Sequence, residues 1–326
     1  MKIEQRTWVE KHRPEKLDDV VGNDRAINVL KDALDDDFTD HFLLSGPAGT
    51  GKTTSVQAFA REKYGDDWNS NLIELNASDD RGIDIVRNVI KNEAREAPTA
   101  GHDYKIIFLD EADSLTKDAQ SALRRVMEQY SDQTVFFLSV NYLNKVIDPI
   151  QSRCSILPYN RLDDAEVEEI LMNIIEREGM SYDEKAIEKI VEYVDGDGRN
   201  AVRNLQLSTV DGEVTLETLN LFDIHPDYKD IQEVIDHAVN GRLDQAIDMS
   251  HSEIIPDVID YSKLCRDLMS IIRYNDTIHD DVRWFLISRI GQLEVNIVEG
   301  ASPEVQVNSF LAESPVAQNS SIPNYQ

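Results

Sequence analysis

FLLSGPAGTGKT, residues 42–53, decides the fold. Residues 42–45 read as a short buried strand. GPAGTGKT at 46–53 then fills all eight positions of the phosphate-loop pattern, and a segment of helical period follows at 52–63. A glycine-rich turn in that context lets backbone N–H groups curl around phosphate oxygens, and the helix N-terminus adds the positive end of its dipole. Gly46, Pro47, Ala48, Gly49, Thr50 and Gly51 are the candidate cradle, with Thr54 beside it in the first helical turn. Lys52 is placed to reach the β and γ phosphates of ATP, and Thr53 to put its hydroxyl on Mg²⁺.

Working outward, LIEL at 72–75, KIIFL at 105–109 and TVFFLSV at 134–140 are further strand-like runs, with helical periods between them at 83–95 and 117–129. Alternating strand and helix predicts a parallel α/β sheet covered on both faces, with functional loops at the strand C-termini. FLDEAD at 108–113 ends one such strand in acids, which a buried strand otherwise avoids. Asp110 is suited to hold Mg²⁺ and Glu111 to orient and deprotonate an attacking water, while Asp113 reads as a helix N-cap. Asn141, after another strand, can hydrogen-bond a water or the γ phosphate, and Arg153 falls in a short helix or loop at the rim.

From about residue 163 the pattern turns all-helical, through 164–178, 184–194 and 199–209, with GDG at 196–198 separating the last two. After Pro226 apolar stripes recur at 231–239, 256–273 and 281–298. The expected domains are 1–160, 161–226 and 227–312, and the aperiodic tail 313–326 is expected to be disordered.

Composition limits the function. Of 326 residues 41% are apolar and 29% charged, the balance of a soluble globular protein, and no apolar run approaches the length that crosses a bilayer, so no membrane role is expected. The polar start, MKIEQRTWVEK, speaks against secretion. Two cysteines and seven dispersed histidines offer neither a disulfide framework nor a metal-ligand spacing, and a cytoplasmic setting is expected. Asp plus Glu is 62 against 33 Lys plus Arg, a net charge of −29, and the acids are spread along the chain, as suits a halophilic protein or that of a halophile's virus. Residues 1–160 carry 20 basic and 28 acidic side chains and residues 161–326 carry 13 and 34, so nucleic acid would be bound by the first half. There Arg87 and Lys91 share one helix face, Arg81 precedes it, and Lys117, Arg124 and Arg125 lie on the next helix leaving the same sheet edge. Such a set suits DNA phosphates rather than base edges.

TWVEKHRP at 7–14, the phosphate loop, LNASDDRGI at 75–83, IIFLDEAD, ALRRVME at 122–128, SVNY at 139–142 and IQSRC at 150–154 together resemble the small-subunit family of replication factor C, the archaeal and eukaryotic sliding-clamp loader. GDGRNAVRNLQ at 196–206 and VEGASPEVQVNSFLA at 298–312 extend the resemblance to about residue 312. It implies an AAA+ ATPase domain, a helical lid domain and an all-α collar domain, assembled with a large subunit and further copies into a pentamer. Partners implied are a PCNA-type clamp and primer–template DNA. By the same likeness Val9, Arg13 and Val21 lie near the adenine, Asn141 is a first sensor, Arg199 touches the γ phosphate of its own subunit, and Arg153 is an arginine finger acting in trans. Three departures are His12 for a usual Tyr, Ala48 for a usual Pro, and Gly198 with Asn200 where a larger apolar residue and Arg are commoner. The last is expected to loosen the helix start that positions Arg199. Competing readings are another AAA+ initiator or Holliday-junction motor, disfavoured by the acidic helical C-terminal half, and a scaffold subunit that binds nucleotide without hydrolysing it.

Overall fold

The computed structural model describes residues 7–35, 40–79, 81–99, 101–220, 228–255, 258, 261–275 and 278–319. The chain divides into two compact units, Met1–Leu219 and Asn220–Gln326.

The first unit is built on five parallel strands: β1 (His41–Ser45), β2 (Leu72–Asn76), β3 (Lys105–Asp110), β4 (Thr134–Val140) and β5 (Cys154–Pro158), in the order β2-β3-β4-β1-β5. Side chains alternate across the pleat, and both faces are apolar because helices cover both. Phe42, Leu44, Ile106, Phe108 and Phe137 pack with Phe59 of the helix Lys52–Tyr64 on one face. Leu43, Ile107, Leu109, Phe136 and Leu138 pack with Leu123 and Met127 of the helix Lys117–Gln129 on the other. Phe137 is central, with ring centroids 4.8 Å from Phe42 and 5.2 Å from Phe59.

The four anticipated strands are present, and β5 is a fifth. It is an edge strand beside β1 with only Leu157 buried, so its residues lack the continuous apolar run that marks the others. The 83–95 segment also differs from a plain α-helix: Ile85–Ile90 is a π-helical turn that continues as the α-helix Lys91–Arg95. Thr116, not Asp113, caps the helix Lys117–Gln129, accepting from Ala119 N at 3.3 Å.

Beyond the sheet, the helices Asp164–Glu178, Glu184–Val194 and Gly198–Ser208 enclose a second core that includes Val167, Leu171, Ile187, Ile190 and Leu205. Asp163 and Glu166 form a reciprocal capping box at the first of them. This region is not all-helical: β6 (Ser181–Tyr182), β7 (Thr209–Val210) and β8 (Glu213–Val214) make a small sheet in the order β6-β8-β7. Two-residue strands carry no period to read, but Asp211-Gly212, at φ +52° and +81°, is the hairpin turn that joins β7 to β8.

The second unit is helical, with Tyr228–Val239, Leu243–Met249, Tyr261–Tyr274, Asp280–Val298 and Pro303–Asn319 around Ile231, Ile235, Leu268, Ile272, Leu286 and Phe310. The last helix runs past the expected start of a disordered tail at 313. Buried Ser314 donates to Phe310 O at 3.1 Å and Arg289 pairs with Glu313, so polar residues extend the helix after its apolar stripe ends. Positions 320–326 of that tail lie outside the described residues. Among the described residues no helix is long and apolar enough to cross a membrane.

Candidate active site

The phosphate loop is shaped by what surrounds it. Gly46 N donates to Val140 O at 3.1 Å and Tyr159 N to Ser45 O at 2.7 Å, which draws the loop's entrance between β4 and β5. A Cβ on Gly46 would lie 1.9 Å from Tyr159 O, so only glycine fits there. Gly51, at φ +95°, turns the chain into the helix Lys52–Tyr64, whose N-terminus no side chain caps. Its first amides are thereby left for an anion. Thr50 Oγ1 braces the loop by donating to Pro47 O at 2.9 Å.

Lys52 is buried, with Nζ 2.6 Å from both Gly46 O and Pro47 O and 3.4 Å from Asn141 Oδ1. Burial pushes its ammonium down to about 8 and Arg199 adds to that, while Asp110 opposes it. Thr53 Oγ1 donates to Asp110 Oδ2 at 3.1 Å, and Glu111 N donates to Asp110 Oδ1 at 3.1 Å. A hydroxyl and a carboxylate side by side, beside a helix N-terminus that takes phosphate, are hard oxygen donors of the kind Mg²⁺ takes in company with phosphates. Glu111 itself adopts φ +54°, a left-handed conformation that is unfavourable for a residue other than glycine, and it lines the cleft.

Asp113 takes a role that the N-cap expectation missed. Its two carboxylate oxygens accept from Asn141 N at 3.4 Å and Tyr142 N at 3.3 Å, joining the turn after β3 to the turn after β4. The Asn141 backbone is thereby anchored where its side-chain Oδ1 lies 3.4 Å from Lys52 Nζ.

The lid region meets the loop directly. Gly198 N donates to Gly49 O at 3.1 Å, and a Cβ on Gly49 would lie 1.9 Å from Asp197 Oδ1. The start of the helix Gly198–Ser208 is not loosened by its unusual residues: Asp197 caps it, accepting from Asn200 N at 2.9 Å and Asn200 Nδ2 at 3.0 Å. Arg199, next to Asn200 in the first turn of that helix, lines the cleft.

The cleft is lined by Val9, Arg13, Val21, Ala48, Thr54 and Glu111 among the anticipated residues. Arg13 Nη1 donates to Thr54 Oγ1 at 3.4 Å and Nη2 pairs with Glu10, while its buried Nε has no partner. That orphaned donor suits a polar ligand. Trp8, His12, Ile170, Asn173, Ile174 and Arg177 also line the cleft and were not anticipated. The last four fall at i, i+3, i+4 and i+7 of one helix, a stripe that reads as core until a helix is set over the loop. His12 Nε2 and Lys11 Nζ each lie 2.5 Å from Glu178 Oε1, and Trp8 N donates to Gln206 Oε1 at 2.9 Å, so the N-terminal helix is clasped to the lid. The Lys11 hydrogen bond, more than that of His12, holds the Glu178 carboxyl below its usual range against a smaller effect of burial.

Arg153 is not in this cleft. Its Nη1 donates to Pro149 O at 2.7 Å and its Nη2 pairs with Glu128. The candidate DNA residues Arg81, Arg87, Lys91, Lys117 and Arg125 are exposed; the last four lie on two helical segments that pack against each other, Arg81 lies just before the first of them, and Thr116 N donates to Arg81 O at 3.0 Å. Arg124 is partly buried and pairs with Glu128 at 3.1 Å.

Residues 42–162 match the family model of the ATPases associated with various cellular activities (AAA), and 226–313 match that of the replication factor C C-terminal domain. The replication factor C small subunit of Halobacterium salinarum is 42% identical over 318 residues, covering 94% of this chain and 95% of its own length. Those of Natronomonas pharaonis and Archaeoglobus fulgidus are 41% and 39% identical, each over 94% of this chain and over 94% and 96% of their own lengths. In fold the chain is similar to the Thermotoga maritima RuvB Holliday junction branch migration motor, at a TM-score of 0.56 and 20% identity, over 76% of this chain and 90% of that one. With a phosphate loop in its AAA portion and its family's own C-terminal domain, the chain belongs to the replication factor C small-subunit family and is a P-loop ATPase of the clamp-loader type.

Proposed function

We propose that this chain binds ATP with Mg²⁺ and, assembled with a large subunit and further copies of itself as a pentamer, opens a PCNA-type ring and places it on primed DNA. The observation that carries the reading is the convergence of Lys52, Thr53, Asp110 and Asn141 on one cleft that also holds Arg199, while Arg153 is anchored elsewhere on the same subunit. Lys52 balances the β and γ phosphates, Thr53 and Asp110 hold the metal, and Glu111 takes the proton of the attacking water. Asn141 orients that water or the γ phosphate, Arg199 reports the γ phosphate to the lid, and Val9, Arg13 and Val21 enclose the adenine. The metal supplies charge neutralisation on the phosphates. Arg153 completes the neighbour's site, since an arginine supplied in trans offsets charge that develops during phosphoryl transfer.

Arg81, Arg87, Lys91, Lys117 and Arg125 supply the charge that tracks DNA phosphates without reading bases. Arg124 is the member of that set that pairs with Glu128, a carboxylate it shares with Arg153. The net charge of −29 fits a salt-rich cytoplasm, where individual phosphate contacts weaken and encirclement by several subunits holds the DNA instead. Arg153→Ala in the assembled complex should leave nucleotide binding intact and abolish turnover; hydrolysis at the unaltered rate refutes the trans assignment. Stimulation of hydrolysis by primed DNA and clamp at molar KCl tests the rest.

A further inference from the structure

On the helix Lys117–Gln129 two guanidinium groups converge on a single carboxylate oxygen. Glu128 Oε1 takes Arg153 Nη2 and, at 3.1 Å, Arg124 Nε. Arg153 is held a second time by its own chain, through Nη1 to Pro149 O at 2.7 Å. Arg124 and Glu128 are one turn apart and share a helix face. The side chains of Arg124, Glu128 and Arg153 keep 42%, 37% and 33% of their exposure, so solvent screens the pairs and exchange among them is cheap.

A guanidinium delivered to a triphosphate with a carboxylate still attached brings no net charge, and the carboxylate is repelled by the phosphate oxygens. Arg153 must therefore part from Glu128 before it can act. Arg124 already touches the oxygen that Arg153 vacates, so Glu128 keeps a cationic partner throughout. We propose that Glu128 is a positioning residue that parks Arg153 on its own subunit until a neighbour's nucleotide takes it, and that Arg124 receives the carboxylate at the exchange. The proposal rests on the reading of Arg153 as a trans-acting finger. It gives Arg124 the role of counter-ion to Glu128, leaving the phosphate contacts to its exposed neighbours.

The test is steady-state ATP hydrolysis by the complex of this chain with its clamp-loader large subunit. Glu128→Gln keeps the side chain's shape and removes its charge. Without DNA it should raise kcat about 1.4- to 5-fold, the range set by release of an exposed ion pair, and leave the KM for ATP unchanged because the cleft is untouched. Arg124→Gln should lower kcat by a similar factor while leaving DNA affinity and its salt dependence as they were. Were Arg124 instead bound to a DNA phosphate, its removal would reduce the slope of log affinity against log salt by about one for each copy. In the double variant the Arg124→Gln defect should disappear, since the carboxylate it served is gone. An unchanged or lowered kcat in Glu128→Gln overturns the proposal, as does a reduced salt slope in Arg124→Gln. Arg153→Ala separates the two levels. If it hydrolyses ATP normally, the trans finger itself fails; if it is inactive while Glu128→Gln shows no gain, only the parking role fails.

Discussion

Gly49→Ala probes the contact between the phosphate loop and the lid. Gly49 sits at φ +76°, where an L residue costs about 1–2 kcal/mol. The added Cβ would also lie 1.9 Å from Asp197 Oδ1 and 2.3 Å from its Cγ, so Asp197 has to swing away. That removes the acceptor of Asn200 N and Nδ2, a helix cap worth about 1 kcal/mol. The expected loss of stability is about 2–3 kcal/mol. Asp197→Ala alone should cost about 1 kcal/mol, again the cap. A cap can be removed only once, so the double variant should cost about 2–3 kcal/mol, the same as Gly49→Ala alone, where simple addition gives about 3–4. Urea unfolding followed by the fluorescence of Trp8 and Trp68, both in the first unit, reads all three values. Strict additivity, or a Gly49→Ala loss below about 0.5 kcal/mol, refutes the claim that the loop and the lid helix are in contact through these two residues.

Further outcomes concern Lys52 and Asp113. With the Lys52 ammonium at about 8 in the free chain, a triphosphate that restores its charge takes up roughly 0.1 proton at pH 7 and 0.9 at pH 9; calorimetry in buffers of different ionisation enthalpy should show the rise, and equal uptake at both pH values refutes it. The sign for folding is the same: between pH 8 and 10.5 the unfolded chain holds that proton more tightly, so Lys52 contributes a rise in stability of the nucleotide-free chain with pH across that window. Lys52→Ala should abolish nucleotide binding. Asp113→Ala removes the acceptor of Asn141 N and Tyr142 N and should lower kcat about fivefold, the value of a hydrogen bond near 1 kcal/mol, with ATP affinity within twofold; a loss of affinity at constant kcat would place Asp113 in binding instead.

The sequence revealed what is dense and local. The phosphate loop is one contiguous pattern between a strand and a helix, and β1, β3 and β4 are apolar on both faces, so neither needed tertiary information. β5 has one buried residue and the lid strands have two residues each, too little for any period to register. His12, Asn173 and Arg177 are legible only after a distant helix has been laid across the loop, because nothing in their own segments distinguishes a cleft-lining stripe from core. Asp113 was misjudged for a related reason: a carboxylate near a helix start suggests a cap, but the amides it accepts from belong to the next strand's exit, 28 and 29 residues away.

Asn23 ties the phosphate loop to the chain that leaves β5. Its side chain donates to Thr50 O at 3.3 Å and Asn160 O at 3.2 Å and accepts from Asn160 N at 2.7 Å, so one flat amide bolts the phosphate loop to the chain just as it departs toward the lid. Asn23 itself is held at φ +55°, which fixes the bolt's bearing. The loop's curvature is therefore held from the side of the departing chain as well as from within, and two residues further on Leu162 N donates to Gly196 O at 3.1 Å, so the same stretch is tied next to the turn before the helix Gly198–Ser208.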